Sequence, residues 1–361
     1  MKPPFRADQV GSLLRPVELS NARKQWKQGA LSAGKLKEIE DRAIRQAVSK
    51  QEAIGLQAVT DGEFRRDWWH LDFLGQLDGV INKVNPGPKF GGTEEQPPIA
   101  TVTGKVGCSS PVMVQDFAFL KSVAKATPKF TIPSPSMLHL RGGRDAISKE
   151  AYPDLEQFWL DVAAAYRKAI AHLAHAGCAY LQLDDTAFAY LCDPKMQQTC
   201  RNNGDDPAKL PQRYADTINA ALSDKPDGMA VTLHTCRGNF KSAWVAEGGY
   251  DPVAEAMFSA NVDGFFMEFD STRAGTFEPL RPLPKGKKVV LGLVTTKVGE
   301  IEDKEMLKRR IAEAAKFVPL ENLCLSPQCG FSSTHHGNSL TVDEQWRKLE
   351  RIVQVAQEVW R

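Results

Sequence analysis

Two cysteines, a histidine and a glutamate carry the most chemistry in this chain: His234 and Cys236 in VTLHTC, Glu268 in FFMEFD, and Cys329 in LCLSPQC. Each stands at or just past the end of a short apolar, β-prone run. One imidazole, two thiols and one carboxylate make a donor set of the kind that holds a single zinc ion. A thiolate-rich centre favours soft or borderline metals and accepts a further sulfur ligand, which indicates chemistry on a thiol rather than hydrolysis. Two thiolates and a carboxylate outweigh the charge of a dication, so the centre would be net negative. It would be a weak Lewis acid toward water, yet able to keep a bound thiol deprotonated and nucleophilic. Glu268, the hardest ligand of the four, is the one expected to yield to an incoming sulfur. The bland reading of any single cysteine is a small buried hydrophobe, and Cys178 and Cys324 are expected to be that.

Positions so far apart in sequence meet only where strand ends converge. Eight runs read as strands: 5–12, 56–63, 130–136, 180–186, 229–236, 264–270, 288–297 and 323–329. Most are continuous apolar runs that end in polar residues, as buried parallel strands do. Helical spacing of apolar residues fills 34–54, 155–176, 303–316 and 342–361, the last preceded by an N-cap at Thr341. Strand–helix alternation implies parallel strands joined by right-handed crossovers. Eight such units predict an α/β fold, a (β/α)8 TIM barrel running as a single domain over 1–361, with the ends of its strands gathered on one face. Two stretches break the pattern. Residues 83–110 mix proline and glycine and predict a hairpin or excursion; residues 191–212 predict a long loop over the active face.

With 361 residues, 42% hydrophobic and 25% charged, the composition is that of an ordinary globular protein. A net charge of +2 gives no electrostatic case for nucleic acid or an anionic membrane. No apolar run is long enough to span a bilayer, and MKPPFRADQV has no signal-peptide core. Seven cysteines at irregular spacing do not suggest a disulfide framework. A reducing, cytoplasmic setting is expected, where thiolates stay available to a metal.

The motifs QVGSLLRP (9–16), TDGEFRRDWW (60–69), LQLDDTAF (181–188), HTCRGN (234–239), MEFD (267–270), GLVTTK (292–297) and LSPQCGFSS (325–333) run in order along the chain. Together they resemble the catalytic barrel of cobalamin-independent methionine synthase, especially the short single-barrel members of that family. The resemblance implies a zinc-dependent methyltransferase that moves a methyl group onto the thiol of homocysteine. It implies His234, Cys236, Glu268 and Cys329 as zinc ligands. Val10, Gly11 and Ser12 resemble the homocysteine-binding turn, where glycine permits close approach and backbone N–H groups can hold a carboxylate. Glu63 and Asp184 resemble the acidic contacts to the amino group, which make chemical sense because carboxylate and ammonium compensate each other's desolvation. Without a substrate in mind, Glu63 would pair with Arg65 or Arg66, and Asp184 and Asp185 would cap a helix or form a salt bridge.

The sequence also departs from the family. Where the long synthases place a proton-donor histidine, after the strand matching GLVTTK, Lys297 stands instead. His335 and His336 lie nearby and read as solvated loop residues. TIPSPSML (131–138) has no counterpart of the folate-stacking tryptophan, although Trp68 and Trp69 offer a flat surface or pack beneath the loops. The expected partners are homocysteine or another small thiol and a methyl donor, whether a folate, a corrinoid protein or another molecule. A homo-oligomer is compatible with the sequence. The competing expectation comes from the related epoxyalkane:coenzyme M transferases, in which a zinc thiolate opens an epoxide. Their thiol carries a sulfonate and no ammonium, so it has no use for carboxylates at 63 and 184.

Overall fold

Seven of the eight expected strands form one parallel sheet in the computed structural model, which describes residues 2–84 and 98–360. In chain order the strands are β1 (Ala58–Val59), β2 (Asp78–Lys83), β3 (Ile99–Gly107), β4 (Thr127–Pro133), β5 (Tyr180–Asp185), β6 (Ala230–Thr235), β7 (Gly264–Glu268), β8 (Lys288–Val294) and β9 (Leu323–Pro327). The curled sheet runs β1-β4-β5-β6-β7-β8-β9, every neighbouring pair parallel.

The eighth position is held by residues 5–12, which form no regular strand. Ala7 makes a single parallel bridge to Leu325: Asp8 N–H donates to Leu325 O (3.0 Å) and Leu325 N–H to Arg6 O (2.8 Å). On the opposite side the seam to β1 is closed through side chains. Thr60 Oγ1 donates to Gly11 O (2.6 Å) and Gln9 Nε2 to Thr60 Oγ1 (3.3 Å), with one backbone bond from Leu13 N–H to Gly62 O (3.0 Å). The run expected over 56–63 shrinks to two paired residues because the chain turns through left-handed backbone at Gly62 and Glu63, φ 67° and 59°. With this segment in place the sheet closes as a (β/α)8 barrel.

Strand alternation divides the side chains cleanly. Leu181, Leu183, Val231, Leu233, Phe265, Met267, Val289, Leu291, Leu323 and Leu325 join the large apolar layer under the helices. Their alternates face inward. Val10, Phe266, Val290 and Cys324 form one small interior cluster, and Phe5, Ala58 and Tyr180 another. Between them lies a fully buried ion pair, Lys129 with Asp8 (3.1 Å), whose carboxylate also accepts from Tyr180 OH (2.8 Å). The next inward positions toward the strand ends are Asp184, His234 and Glu268, so the barrel's own period carries the chemistry to its mouth.

The expected helices appear as Ala33–Ala53, Leu155–His175, Lys304–Ala314 and Val342–Val359, the last with a capping box between Thr341 and Glu344. The break in pattern after residue 77 is a hairpin in which β2 pairs antiparallel with β3; residues 85–97 of the 83–110 stretch lie outside the described residues. The stretch 191–212 is not a plain loop. It holds a helix, Pro194–Asn202, started by Asp193, whose side chain accepts from Lys195 N–H (2.8 Å), and it enters a second, Leu210–Ala221. Among the described residues no helix is long and apolar enough to cross a membrane.

Candidate metal centre and substrate pocket

β6 and the turn after β9 bring His234, Cys236 and Cys329 together. One ligand atom from each lies within 4.8 Å of the others, and all three residues are buried. The sulfurs of Cys236 and Cys329 are 3.3 Å apart, and both thiols are free. Hydrogen bonding between them pushes the Cys236 pKa well up, helped by burial, and holds that of Cys329 well down, helped by His234. Neither ring nitrogen of His234 has a hydrogen bond of good geometry. Burial opposes its protonation, but Cys329, Asp184 and Glu268 outweigh burial and raise its pKa.

Glu268, at the end of β7, is 0% exposed, and both carboxylate oxygens lack a hydrogen-bond partner. Burial, reinforced by the charge of Cys329 and opposed by Lys297, pushes its pKa up to about 7. A carboxylate so desolvated and unpartnered is costly unless a cation is meant to meet it. His234, Cys236 and Cys329 form a donor set that fits a zinc ion, whereas Glu268, with its orphaned oxygens, does not fall within the 4.8 Å that groups those three.

A pocket opens beside this corner. Val10, Ser12, Glu63, Asp184, His234, Cys236 and Cys329 line it, whereas Gly11 and Glu268 are not among its lining residues. Gly11 has φ +150°, and a Cβ there would come within 2.8 Å of Thr131 and 3.2 Å of Glu63, so glycine is required. Gly330 is equally constrained, because a Cβ would stand 2.0 Å from Ser12 Oγ.

Glu63 adopts left-handed backbone despite its side chain, a strain on the order of 1 kcal/mol. It is held there from several sides. Its N–H donates to Asp61 (2.8 Å), and its carbonyl accepts from Arg66 N–H (3.0 Å) and from Arg15 (3.0 Å). Its Oε1 accepts from Thr131 (3.0 Å), the nearest Arg66 nitrogen is 3.9 Å away, and Oε2 is buried with no partner. Arg65 is engaged elsewhere, with Glu40 and Asp41. Asp184 accepts from Gln182 (2.7 Å); burial, opposed by His234 and reinforced by Glu63, pushes its pKa up to about 7. Asp185 is the capping residue of the two, bonded to Phe188 N–H (2.9 Å) and to Ser136.

Lys297 is buried but does not line the pocket. Its ammonium donates to Gly238 O (3.2 Å), Asn239 Oδ1 (3.4 Å) and Ala243 O (3.5 Å), bracing the loop that follows Cys236. His335 and His336 also stay off the pocket wall. They are half-buried rather than solvated, with their rings 3.9 Å apart and edge-on to Trp68. Trp68 and Trp69 do line the pocket, and Trp68 lies parallel to Phe240 at 6.4 Å between centroids.

Several residues here carried no sequence signal. Arg15 clamps the 332–334 loop to the 63–66 turn through five bonds, to Ser332 O and Oγ, Thr334 O, Glu63 O and Arg66 O. Arg237, inside the quoted HTCRGN motif, is 0% exposed and rests on the Tyr250 ring (4.4 Å); its nitrogens have no hydrogen-bond acceptor. His70 and Arg141 line the pocket away from the sulfurs.

A barrel whose strand ends gather an imidazole, two thiols and three buried carboxylates defines a class of protein, and the comparisons name it. Residues 5–358 match the cobalamin-independent synthase catalytic domain, and the chain belongs to that family, whose type is the methyltransferase of methionine synthesis. The Bacillus subtilis protein YxjH, itself uncharacterized, is 49% identical over 100% of this chain and 96% of its own. A Listeria monocytogenes crystal structure, provisionally named a vitamin-B12-independent methionine synthase, is 40% identical with a TM-score of 0.81, covering 100% of this chain and 99% of that one. A B12-independent methionine synthase from Shewanella sp. W3-18-1, solved with selenomethionine, shares the fold at 21% identity and a TM-score of 0.76, covering 98% and 97% of the two chains.

Proposed function

We propose that this chain is a zinc-dependent methyltransferase that places a methyl group on the thiol of homocysteine to give methionine. The observation that carries the reading is a pocket with sulfur-binding chemistry at one wall and two buried carboxylates at another, Glu63 with an unpartnered Oε2 and Asp184 with its pKa raised by burial. An amino acid with a thiol matches both ends. Its ammonium supplies the partner that Glu63 Oε2 lacks and lowers the cost of ionising Asp184. Its carboxylate meets Ser12 and the backbone around Gly11, where the absence of a Cβ leaves room.

His234, Cys236, Glu268 and Cys329 would hold the zinc, which when bound keeps a thiol deprotonated at neutral pH. The chain's own residues do the rest. Lys297 fixes the loop carrying Asn239, whose amide donates to Gly330 O (2.8 Å) and so ties the Cys236 side of the site to the Cys329 side. Trp68 and Phe240, stacked at 6.4 Å, add an apolar surface to the pocket. The gain is that of orientation: a thiolate held in line with a methyl group in the pocket.

The coenzyme M alternative would set an anionic sulfonate against the same two carboxylates, with no ammonium to join them. The test is transfer by zinc-loaded protein, with homocysteine paired in turn with methyl-folate, methylcobalamin and other methyl donors. Methionine is the expected product with one of them, and its absence with all of them would overturn the reading.

A further inference from the structure

A second cavity opens against the helix Val17–Lys27 and shares no lining residue with the substrate pocket. Ser20, Arg23, Lys24 and Lys27 line it from that helix, Arg15 from the segment before it, and His335 from the loop after β9. Steps of three and four residues set the four helical positions along one face. Among the described residues no carboxylate lines the cavity. The helix contributes its C-terminal half, whose dipole repels anions, so any attraction for one comes from the side chains.

Two of the cations are buried, Arg15 at 9% exposure and Arg23 at 7%. Between them they hold the carbonyls of residues 63–66, the turn that carries Glu63. Arg15 donates to Glu63 O (3.0 Å) and Arg66 O (2.8 Å), and Arg23 to Phe64 O (2.6 Å) and Arg65 O (3.1 Å). Their terminal nitrogens are thereby committed, and each Nε is buried without a partner. Counter-charge is short. Glu40 pairs with Arg23 (2.5 Å) but also with Arg65 (2.9 Å), and Asp67 pairs with Lys27 (2.7 Å) and, more distantly, with Arg23 (3.6 Å). Lys24 is exposed and, among the described residues, has no ion pair. Arg15, Arg23, Lys24 and Lys27 against two shared carboxylates leave the cavity positive.

We propose that this cavity binds a phosphate-class oxyanion, and that the bound anion strengthens homocysteine binding by stiffening the Glu63 turn. A planar carboxylate is the weaker fit, because neither guanidinium keeps a free fork to meet it edge-on. Single donors from two ammonium groups and the Ser20 hydroxyl suit a tetrahedral anion instead. The charge of Arg23 acts against that of Arg15, and an anion beside both offsets that repulsion and tightens their hold on residues 63–66. Coupling is reciprocal, so homocysteine raises the affinity for the anion by the same factor. The coupling rests on the homocysteine reading of the pocket at Glu63; the anion site rests on Arg15, Arg23, Lys24 and Lys27 alone.

Calorimetric titration of zinc-loaded full-length protein with inorganic phosphate and with glycerol 3-phosphate, at constant ionic strength in chloride, reads the site. Saturable binding of at least one is expected; the tighter of the two tells whether the cavity is built for the free ion or for a phosphate ester. Ser20→Glu places a carboxylate in the cavity from an exposed helical position and should weaken phosphate binding at least about tenfold. Lys24→Gln should weaken it about threefold. Both variants should keep wild-type homocysteine affinity when phosphate is absent. Saturating phosphate should raise homocysteine affinity at least about fivefold in the wild type and much less in Ser20→Glu. No saturable binding of either probe, equal phosphate binding by wild type and Ser20→Glu, or a homocysteine affinity that phosphate leaves unchanged would overturn the proposal. Failure of the methyltransferase reading looks different: phosphate binding and its coupling to homocysteine would persist while no donor yields methionine.

Discussion

Cys329 is where the metal reading is most directly open to measurement. Its sulfur faces Cys236 and lies within ligand distance of His234. A serine hydroxyl is not deprotonated near neutral pH and is a poor ligand for zinc, so Cys329→Ser should lose bound zinc and methyl transfer together. Full metal content in that variant, measured by elemental analysis, would remove Cys329 from the ligand set. Asp184 supplies a different kind of test. Its carboxyl is pushed up to about 7 by burial, with Glu63 adding to the effect against His234. A carboxyl raised in the folded state contributes fully below its unfolded pKa, and that contribution is lost as pH rises through the folded value. On account of this residue, the substrate-free protein therefore weakens between about pH 4 and pH 7, by on the order of 3 kcal/mol. Asp184→Asn removes the penalty, so its stability relative to wild type should rise across that window while homocysteine binding falls. Denaturation at either end of the window checks this, and a pH-independent difference would show that Asp184 does not titrate as described. Both residues were legible in the sequence because they end apolar strands. Arg141 and His70 were not, since an arginine in HLRGGR and a histidine after two tryptophans look the same whether they face a pocket or water.

Between residues and fold stand the turns that hold the pocket's amino-acid end, and Arg15 joins two of them. Its five acceptors are carbonyls and one hydroxyl on segments far apart in sequence, and burial brings its pKa down to about 10 without neutralising it. A lysine has one nitrogen where arginine has a fork. Arg15→Lys should therefore cost roughly 2–4 kcal/mol, and it should weaken homocysteine binding by letting the Glu63 turn relax from its left-handed backbone. Thermal unfolding combined with homocysteine titration checks both effects. A variant that loses stability but binds homocysteine normally would make the clamp purely structural. The elements themselves were readable where their apolar period was strong, as in Leu155–His175 and in β5 through β9. They were unreadable where structure is carried by polar groups. Residues 5–12 read as a strand in the sequence, but they close the barrel through Gln9 and Thr60 side chains and form only one bridge, because polar side chains carry that seam. Pro194–Asn202 is a helix with only Cys200 buried, so no apolar stripe announces it.

At the scale of the whole barrel, the metal centre is a problem in charge balance. In the proposed centre, two thiolates and a carboxylate around a dication would leave excess negative charge in a buried site, and buried cations lie close to it. Lys297 acts on Cys236, Glu268 and Cys329. Arg237 is within the field of Glu268, Tyr250 and Cys192, and its guanidinium lies over the face of Tyr250, whose hydroxyl in turn accepts from Glu268 N–H (3.0 Å). An arginine buried without an acceptor is costly by itself and gains its compensation from a negative neighbour. The two metal states should then respond in opposite ways to its removal. Without zinc, the ligand set keeps a proton on Cys236, and Arg237→Gln relieves an under-compensated charge at little cost or some gain in stability. With zinc, the fully deprotonated set loses its counter-charge. The zinc-induced rise in melting temperature should therefore shrink in Arg237→Gln, and zinc affinity should fall by about tenfold or more, about 1.4 kcal/mol. Arg237→Lys should restore part of both, since it returns the charge without the planar stacking on Tyr250. If zinc stabilises the glutamine variant as much as the wild type, the centre is balanced by Lys297 alone and Arg237 serves only to pack against Tyr250.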